Sequence, residues 1–332
     1  MGYLSIQFPI CYLLFPASRF PISDYFRRNM KGLVIKSTGS QYLVRTTDGK
    51  VLLSRIRGNL RLKGFEATNP VTVGDHVELE EADGMGMITQ LHERKNYIIR
   101  KSVNLSKQIQ VIAANLDNAF VVATPIAPRT SLGFIDRFLS TAEAYSIPAG
   151  IVFNKSDIYD ENVLNYVEEL KSLYTSIGYS VFVVSSLQEN SLDELKKALR
   201  DKVSLFSGHS GVGKSTLINT LIPGINLKTS EISSYNKGIH TTTFAEMHEL
   251  PFGGFIIDTP GIREFGTIDF DKYEVSHFFP EIFKAARNCK FNNCLHFNET
   301  NCAVLDAVRN DEIALSRYES YVSIMMNQDV FK

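Results

Sequence analysis

The alternation of apolar and polar residues changes its period along the 332-residue chain. From Met30 to about Ser102 the runs are short and two-periodic: GLVIKS, QYLVRTTDGKVLLSRI, DHVELEE, MGMITQLHE and YIIRKS, parted by Asp-Gly and Gly-rich turns. Period two belongs to a strand with one buried face, and five such runs predict a small β-barrel of the OB type over residues 30–102. Over residues 103–272 strand and helix patterns take turns. NAFVVATP, AGIVFNKSD, YSVFVVSS, VSLF and GGFIIDTPG are continuously apolar and end in small or polar residues, as strands covered on both faces do. They predict a parallel sheet with flanking helices, in which ligands sit beyond the carboxyl ends of the strands. Residues 273–332 combine an Asn-rich loop with helical segments, so the fold class is a multidomain α/β chain.

The first 29 residues follow neither pattern. Pro9, Pro16 and Pro21 break their apolar run short of the ~20 residues that a membrane span needs. No small-residue cleavage site follows a basic start. The segment reads as an extension ahead of a start at Met30, with a docking tail as the alternative.

The chemical motifs of the middle region fall at strand ends. SGHSGVGKST meets the P-loop pattern after a strand and before the helical run TLINTLI, which makes Gly208, His209, Ser210, Gly211, Val212, Gly213, Lys214, Ser215 and Thr216 a candidate phosphate cradle. Such a loop surrounds phosphate oxygens with backbone N–H groups, Lys214 reaches the β and γ phosphates, and the Ser215 hydroxyl ligates Mg²⁺. NKSD supplies Asn154, Lys155 and Asp157. Its carboxylate can accept from the N1–H and 2-amino groups of guanine, which adenine lacks, so the nucleotide is read as GTP/GDP rather than ATP. Ser185 and Ser186 end the next strand as the loop over the base. KGIHTTTF offers Thr242, flanked by Thr241 and Thr243, to Mg²⁺ and the γ-phosphate. DTPG places Asp258 near the metal and the Gly261 N–H on the γ-phosphate. The expected catalytic set is Lys214, Ser215, Thr242, Asp258 and Gly261, with Mg²⁺ entering together with GTP on Ser215 and Thr242.

The order is unusual. Ras-like proteins run P-loop, threonine switch, DxxG, NKxD and serine loop, whereas here NKSD and SSL precede the P-loop, HTTT and DTPG. This is a circular permutation, permitted where old termini lie close together.

Charge alters the picture little: 35 basic against 36 acidic residues leave a net charge of −1, so any nucleic-acid contact has to come from local patches. Arg55, Arg57, Arg61 and Lys63 in SRIRGNLRLKG form one, read either as phosphate contacts or as the charges of a solvated loop. Cysteine adds more. Three of the four cysteines, Cys289, Cys294 and Cys302, stand with His296 in a C-x4-C-x-H-x5-C spacing. Three thiolates and one imidazole suit a closed tetrahedral Zn²⁺ site, one zinc per chain, which would contribute on the order of 10 kcal/mol to folding a segment too small for its own core.

With the order barrel, permuted GTPase, Cys3His module in hand, and with ERKNYIIRKS, FIDRFL, NKSD, SGVGKST, HTTT, DTPGIREFG, CAVLDAV and RYESY as they stand, residues 30–332 resemble the bacterial small-subunit-dependent GTPases of the RsgA (YjeQ) family. The resemblance implies a cytoplasmic late maturation factor that binds the 30S ribosomal subunit and its 16S rRNA and hydrolyses GTP there, as a monomer and without a membrane partner. It implies the guanine, phosphate and zinc sites named above. Ile262 stands where Ras-like enzymes carry the glutamine that orients the attacking water, so slow intrinsic turnover is expected. The missing group is then His240, His209 or one supplied by the partner.

Overall fold

The computed structural model describes residues 29–58, 70–101, 109–225, 227, 246–258 and 270–327. Strands β1 (Asn29–Ser37), β2 (Tyr42–Thr46), β3 (Val51–Ile56), β4 (His76–Ala82) and β5 (Met85–Leu91) follow the order β1-β2-β3-β5-β4. An antiparallel pairing of β1 with β4 closes the barrel, and β3 runs parallel to β5. Alternate residues point inward, so Val34, Tyr42, Val44, Leu52, Val77, Leu79 and Ile88 form its core.

The barrel has five strands, but not from the five runs read in the sequence. QYLVRTTDGKVLLSRI is a hairpin, β2 and β3, turned at Asp48-Gly49, where Gly49 takes the φ of 86° that the turn requires. YIIRKS leaves the barrel: as β6 (Tyr97–Lys101) it pairs antiparallel with β7 (Ile109–Ala114) in a separate ribbon. Alternation reports that one face is buried, not which strand lies alongside. Here Ile98, Val111 and Ala113 pack into the core of the neighbouring sheet instead. The barrel meets this ribbon closely at Gly74, whose φ is +89°; a Cβ there would lie 2.0 Å from the Ala114 carbonyl oxygen. Arg94, in the connection, donates to both carboxylate oxygens of buried Asp75 at 2.7 Å and to the Pro70 carbonyl oxygen at 2.9 Å.

The second layer system runs β8 (Asn118–Ala123), α1 (Leu132–Ala144), β9 (Ala149–Phe153), α2 (Glu161–Ile177), β10 (Ser180–Val183), α3 (Asp193–Leu199), β11 (Val203–Ser207), α4 (Lys214–Leu221), β12 (Glu246–Glu249), β13 (Phe255–Asp258). Its spatial order is β10-β9-β8-β11-β13-β12. The first five of these strands are parallel. Along β8, Ala119, Val121 and Ala123 face α1 and α2 with Phe138, Leu139 and Tyr174, while Phe120 and Val122 face α3 and α4 with Leu195, Leu217 and Ile218. Both faces are covered, which is why the strands read as continuous apolar runs. β12 was not anticipated. It is antiparallel to β13 and touches β1 at Lys36 and Glu246, whose side chains lie 2.7 Å apart, so barrel and sheet form one 11-stranded surface.

The C-terminal helices α5 (Pro280–Ala286), α6 (Ala303–Arg309) and α7 (Leu315–Met325) gather around Phe279, Ile282, Val304, Tyr321 and Ile324. α7 docks on α1 through Arg317, 1 % exposed, which lies 2.7 Å from Asp136 of α1 and 2.7 Å from Glu281 of α5. Asp136 also accepts from Tyr174 of α2 at 2.7 Å, and the guanidinium sits 4.6 Å from the Phe279 ring. Among the described residues no helix is long and apolar enough to cross a membrane.

Candidate functional site

The parallel strands align at their carboxyl ends, with Ala123 beside Phe153 and Phe153 beside Val183, so the segments after β9, β10 and β11 emerge on one edge. NKSD, the serine loop and the P-loop are those segments. Asn154, 1 % exposed, ties all three together. Its Nδ2 donates to the Val212 carbonyl oxygen at 2.9 Å, and its Oδ1 accepts from the Ser186 N–H at 3.2 Å and the Ser186 hydroxyl at 2.9 Å. Its carbonyl oxygen accepts from the Tyr159 hydroxyl. The amide thus fixes the walls of the pocket, a role that the spacing alone did not disclose.

Lys155 adopts a left-handed conformation with φ 67° and extends its amino group to the Ala127 carbonyl oxygen at 2.8 Å, bridging to the segment after β8. Asp157 is the middle residue of a single helical turn, Ser156–Ile158, and its Oδ1 accepts from the Ser185 hydroxyl at 2.5 Å. That hydroxyl accepts in turn from the Leu187 N–H at 3.1 Å. Ser185 is fully buried, whereas the Leu187 side chain stands 77 % exposed beside it. A carboxylate held from one side keeps its other oxygen available to a ligand edge.

The P-loop leaves β11 through Gly208, Gly211 and Gly213, with φ of 148°, 87° and 88°. Side chains are excluded as well as strained: a Cβ on Gly208 would lie 2.3 Å from the Val122 carbonyl oxygen, and one on Gly213 would lie 2.4 Å from Asn154 Nδ2. Gly213 caps α4, whose first residues are Lys214, Ser215 and Thr216. Lys214 lays its amino group across the loop, 3.2 Å from the Gly208 carbonyl oxygen. Val212 is buried under the loop, and Ser210 is exposed on it. Further along α4, Thr220 donates to the Ser186 carbonyl oxygen at 3.0 Å. A helix N-terminus under a ring of backbone amides attracts anions. The His209 ring packs against Phe134 of α1 with centroids 3.8 Å apart, and burial followed by the nearby Lys214 charge holds its pKa below the ordinary imidazole value.

Asp258 ends β13, in register with Glu246 of β12. Thr241, Thr242, Thr243, His240, Gly261 and Ile262 lie outside the described residues, as do Arg61, Lys63 and residues 1–28. Of the basic loop, Arg55 is exposed on β3, and Arg57 lies 3.5 Å from Glu80.

A second centre lies in the C-terminal module. Cys289, Cys294, His296 and Cys302 bring their ligand atoms within 4.8 Å of one another and can hold a metal ion. Cys302 Sγ lies 3.8 Å from that of Cys289 and 3.7 Å from that of Cys294; His296 Nδ1 lies 3.5 and 3.4 Å from Cys289 and Cys302. A tetrahedron with Zn–S near 2.3 Å and Zn–N near 2.0 Å has edges of about 3.8 and about 3.5 Å. The donors fit it. Burial pushes the Cys294 thiol up to about 12, so a bound cation is what would draw off its proton. The loop itself is held by Glu299, which belongs to no motif, and by two tyrosines of RYESY whose role the motif did not disclose. Glu299 accepts from the Leu295, Phe297 and Asn298 N–H groups at 2.7, 2.8 and 3.1 Å. The hydroxyls of Tyr318 and Tyr321 donate to the carbonyl oxygens of His296 and Leu295 at 2.9 and 2.8 Å.

Comparison with known proteins agrees with this assembly. The profile of the RsgA GTPase matches residues 91–268, and that of the RsgA N-terminal domain matches residues 31–88. The chain belongs to the RsgA GTPase family. It is accordingly a GTP-hydrolysing enzyme. A small ribosomal subunit biogenesis GTPase RsgA of Bacteroides fragilis (strain ATCC 25285) is 54% identical over 302 residues, covering 90% of this chain and 97% of the relative. The protein of that name from Porphyromonas gingivalis is 52% identical over 307 residues, covering 90% and 98%. The crystal structure of YjeQ from Thermotoga maritima superposes with a TM-score of 0.75 at 34% identity, covering 92% of this chain and 100% of that one. YloQ, a circularly permuted GTPase, gives a TM-score of 0.72 at 30% identity, covering 93% and 98%. The permuted order read from the sequence is thus that of the family.

Proposed function

We propose that the chain is a late-stage 30S maturation factor that binds 16S rRNA, acts as a cytoplasmic monomer, and hydrolyses GTP under stimulation by the small subunit. The observation that carries the reading is Asn154, which locks a guanine-selective loop, a serine loop and a P-loop into one pocket at the strand ends. The names of the curated relatives, small ribosomal subunit biogenesis GTPases, support the choice of partner.

Asn154, Lys155, Asp157, Ser185 and Ser186 form the base end of the pocket. Asp157, oriented by Ser185, accepts from guanine, and Ser186 closes the loop above it. Gly208 to Thr216 wrap the phosphates with backbone N–H groups, and Lys214 exchanges the Gly208 carbonyl for β and γ phosphate oxygens. Mg²⁺, held by Ser215 and Thr242 with Asp258 nearby, would neutralise charge on the β and γ phosphates. Gly261 donates its N–H to the γ-phosphate. His209 is already packed on Phe134, which favours His240 or the ribosome as the source of the water-orienting group that Ile262 lacks. In domain terms, the barrel expected over residues 30–102 ends at β5 (Met85–Leu91), β6 and β7 go with the permuted GTPase that runs to residue 272, and residues 273–332 are the metal module. The ion there is Zn²⁺, one per chain, cross-linking Cys289, Cys294, His296 and Cys302.

The test is nucleotide selectivity joined to turnover. The purified chain should prefer GTP and GDP over ATP. Lys214→Ala should abolish phosphate release from GTP and leave the barrel folded; normal turnover in that variant would contradict the P-loop assignment.

A further inference from the structure

Barrel and nucleotide-binding sheet meet at the pair of Lys36 with Glu246. Upstream of it β1 pairs with β4, Leu33 opposite His76, and a gap opens between the barrel and the turn that joins β12 to β13. The gap is a cavity of about 720 Å³, within the range of roughly 300–1,000 Å³ usual for small-ligand sites. Its sheet wall is tightly packed: a Cβ on Gly254 would lie 2.7 Å from the Lys202 backbone nitrogen, so the hairpin turn is seated on the segment ahead of β11. Its barrel wall is tied as well, the Thr47 N–H donating to the Lys31 carbonyl oxygen at 3.1 Å. A second cavity of about 500 Å³ continues along the seam and shares Leu33, His76, Asp201 and Phe255 with the first.

The charges of the cavity divide into a satisfied pair and an unsatisfied one. The Arg45 guanidinium lies 5.7 Å from the centroid of half-buried Phe255 and forms an ion pair with Glu249. Lys31 on the barrel wall and Asp201 on the sheet wall do not meet. Both are exposed, and among the described residues neither side chain has a hydrogen-bond or ion-pair partner. The complement of these groups is a flat ring with a hydrogen-bond donor at one end and an anion at the other. An amino acid carries both charges on one carbon and cannot answer opposite walls. A mononucleotide can, because an exocyclic amino group on its base stands far from its phosphate, and its ring stacks on aromatic faces and guanidinium planes.

We propose that this cavity binds a purine mononucleotide with an exocyclic amino group, adenosine monophosphate being the simplest. The amino group donates to Asp201, the ring rests on the Arg45–Phe255 pair, and the phosphate meets Lys31. The site is separate from the guanine pocket, since no residue of the P-loop, NKSD or the serine loop lines it. The β12–β13 hairpin beside it runs from shortly after HTTT to Asp258, the first residue of DTPG. A nucleotide bound here therefore ties the barrel to the strand pair that separates the two switch motifs.

The experiment is calorimetric titration of the full chain, its guanine pocket saturated with GDP, with AMP, adenosine and IMP. AMP should bind with a Kd below about 1 mM. Adenosine lacks the phosphate and IMP carries an oxo group in place of the amino group, so each should bind about tenfold or more weakly, leaving one wall charge unpaired. Lys31→Gln should weaken AMP by about tenfold and leave adenosine unchanged. Asp201→Asn supplies an N–H for the oxo group and should bring IMP level with AMP or past it. Intrinsic GTP hydrolysis without AMP should be the same in both variants, which separates lost contact from lost fold. No AMP binding, binding only when GDP is left out, or equal affinity for adenosine would overturn the proposal. So would an equal loss of AMP and adenosine in Lys31→Gln, or an unchanged order of AMP and IMP in Asp201→Asn. The guanine pocket is tested separately, by the selectivity for GTP over ATP.

Discussion

Asp157 and Asn154 lie three positions apart and divide the work of one motif. Asn154 spends one amide hydrogen and its oxygen inside the protein, and Asp157 keeps a carboxylate oxygen beyond its bond to Ser185. In the proposed reading base selectivity therefore rests on Asp157, while Asn154 holds the pocket walls together. Asp157→Asn exchanges an acceptor for a donor. It should weaken GTP and favour xanthosine triphosphate, with a swing in relative affinity of 10-fold or more on the order of what a lost or unpaired polar contact causes. Titration of both nucleotides checks it, and unchanged GTP preference would remove Asp157 from the base site. At this scale the motifs were legible, because each is a local run whose spacing is set by one turn of backbone. The partners of Asn154 were not legible, since Val212 lies 58 residues away and only the sheet brings it alongside.

At the scale of elements, α1 joins what the sequence separates. Its first turn presents Phe134 to His209 of the P-loop, and two residues later Asp136 receives Arg317 of α7 across 181 residues. Asp136 in FIDRFL and Arg317 in RYESY are visible in the sequence as charges on helices, but nothing local says that they are buried or that they meet. A buried ion pair is stabilised by its hydrogen bonds, and removing one partner strands the other. Arg317→Ala should therefore destabilise the chain by about 3 kcal/mol or more, because Asp136 and Glu281 would keep buried charge without the guanidinium. Adding Asp136→Asn should recover part of the loss. Denaturant unfolding of the two single variants and the double forms the check, and strictly additive losses would show that the pair is not coupled. β6 and β12 teach the same lesson about strands. Both alternate or read as short polar-flanked runs, and their pairing with β7 and β13 is a property of the assembled sheet.

On the scale of the whole molecule, one surface of 11 strands and one buried arginine link barrel, nucleotide pocket and metal module. The metal loop is braced from α7 through Tyr318 and Tyr321, so metal binding and docking on α1 share a helix. Metal analysis should find one zinc per chain, absent after Cys294→Ala with His296→Ala, and that variant should melt at lower temperature. Full zinc retention would show that the four donors are not the site. Deleting residues 273–332 would strip Arg317 from Asp136 along with the module. We propose that the small subunit stimulates hydrolysis, whether the group that Ile262 lacks comes from the ribosome or from His240. Phosphate release from GTP, followed for the intact chain with and without purified 30S subunits at fixed salt, tests it most directly. Slow release alone and stimulation on the order of 10³-fold with subunits are predicted, as for other GTPases completed in trans; the same rate in both would contradict the account.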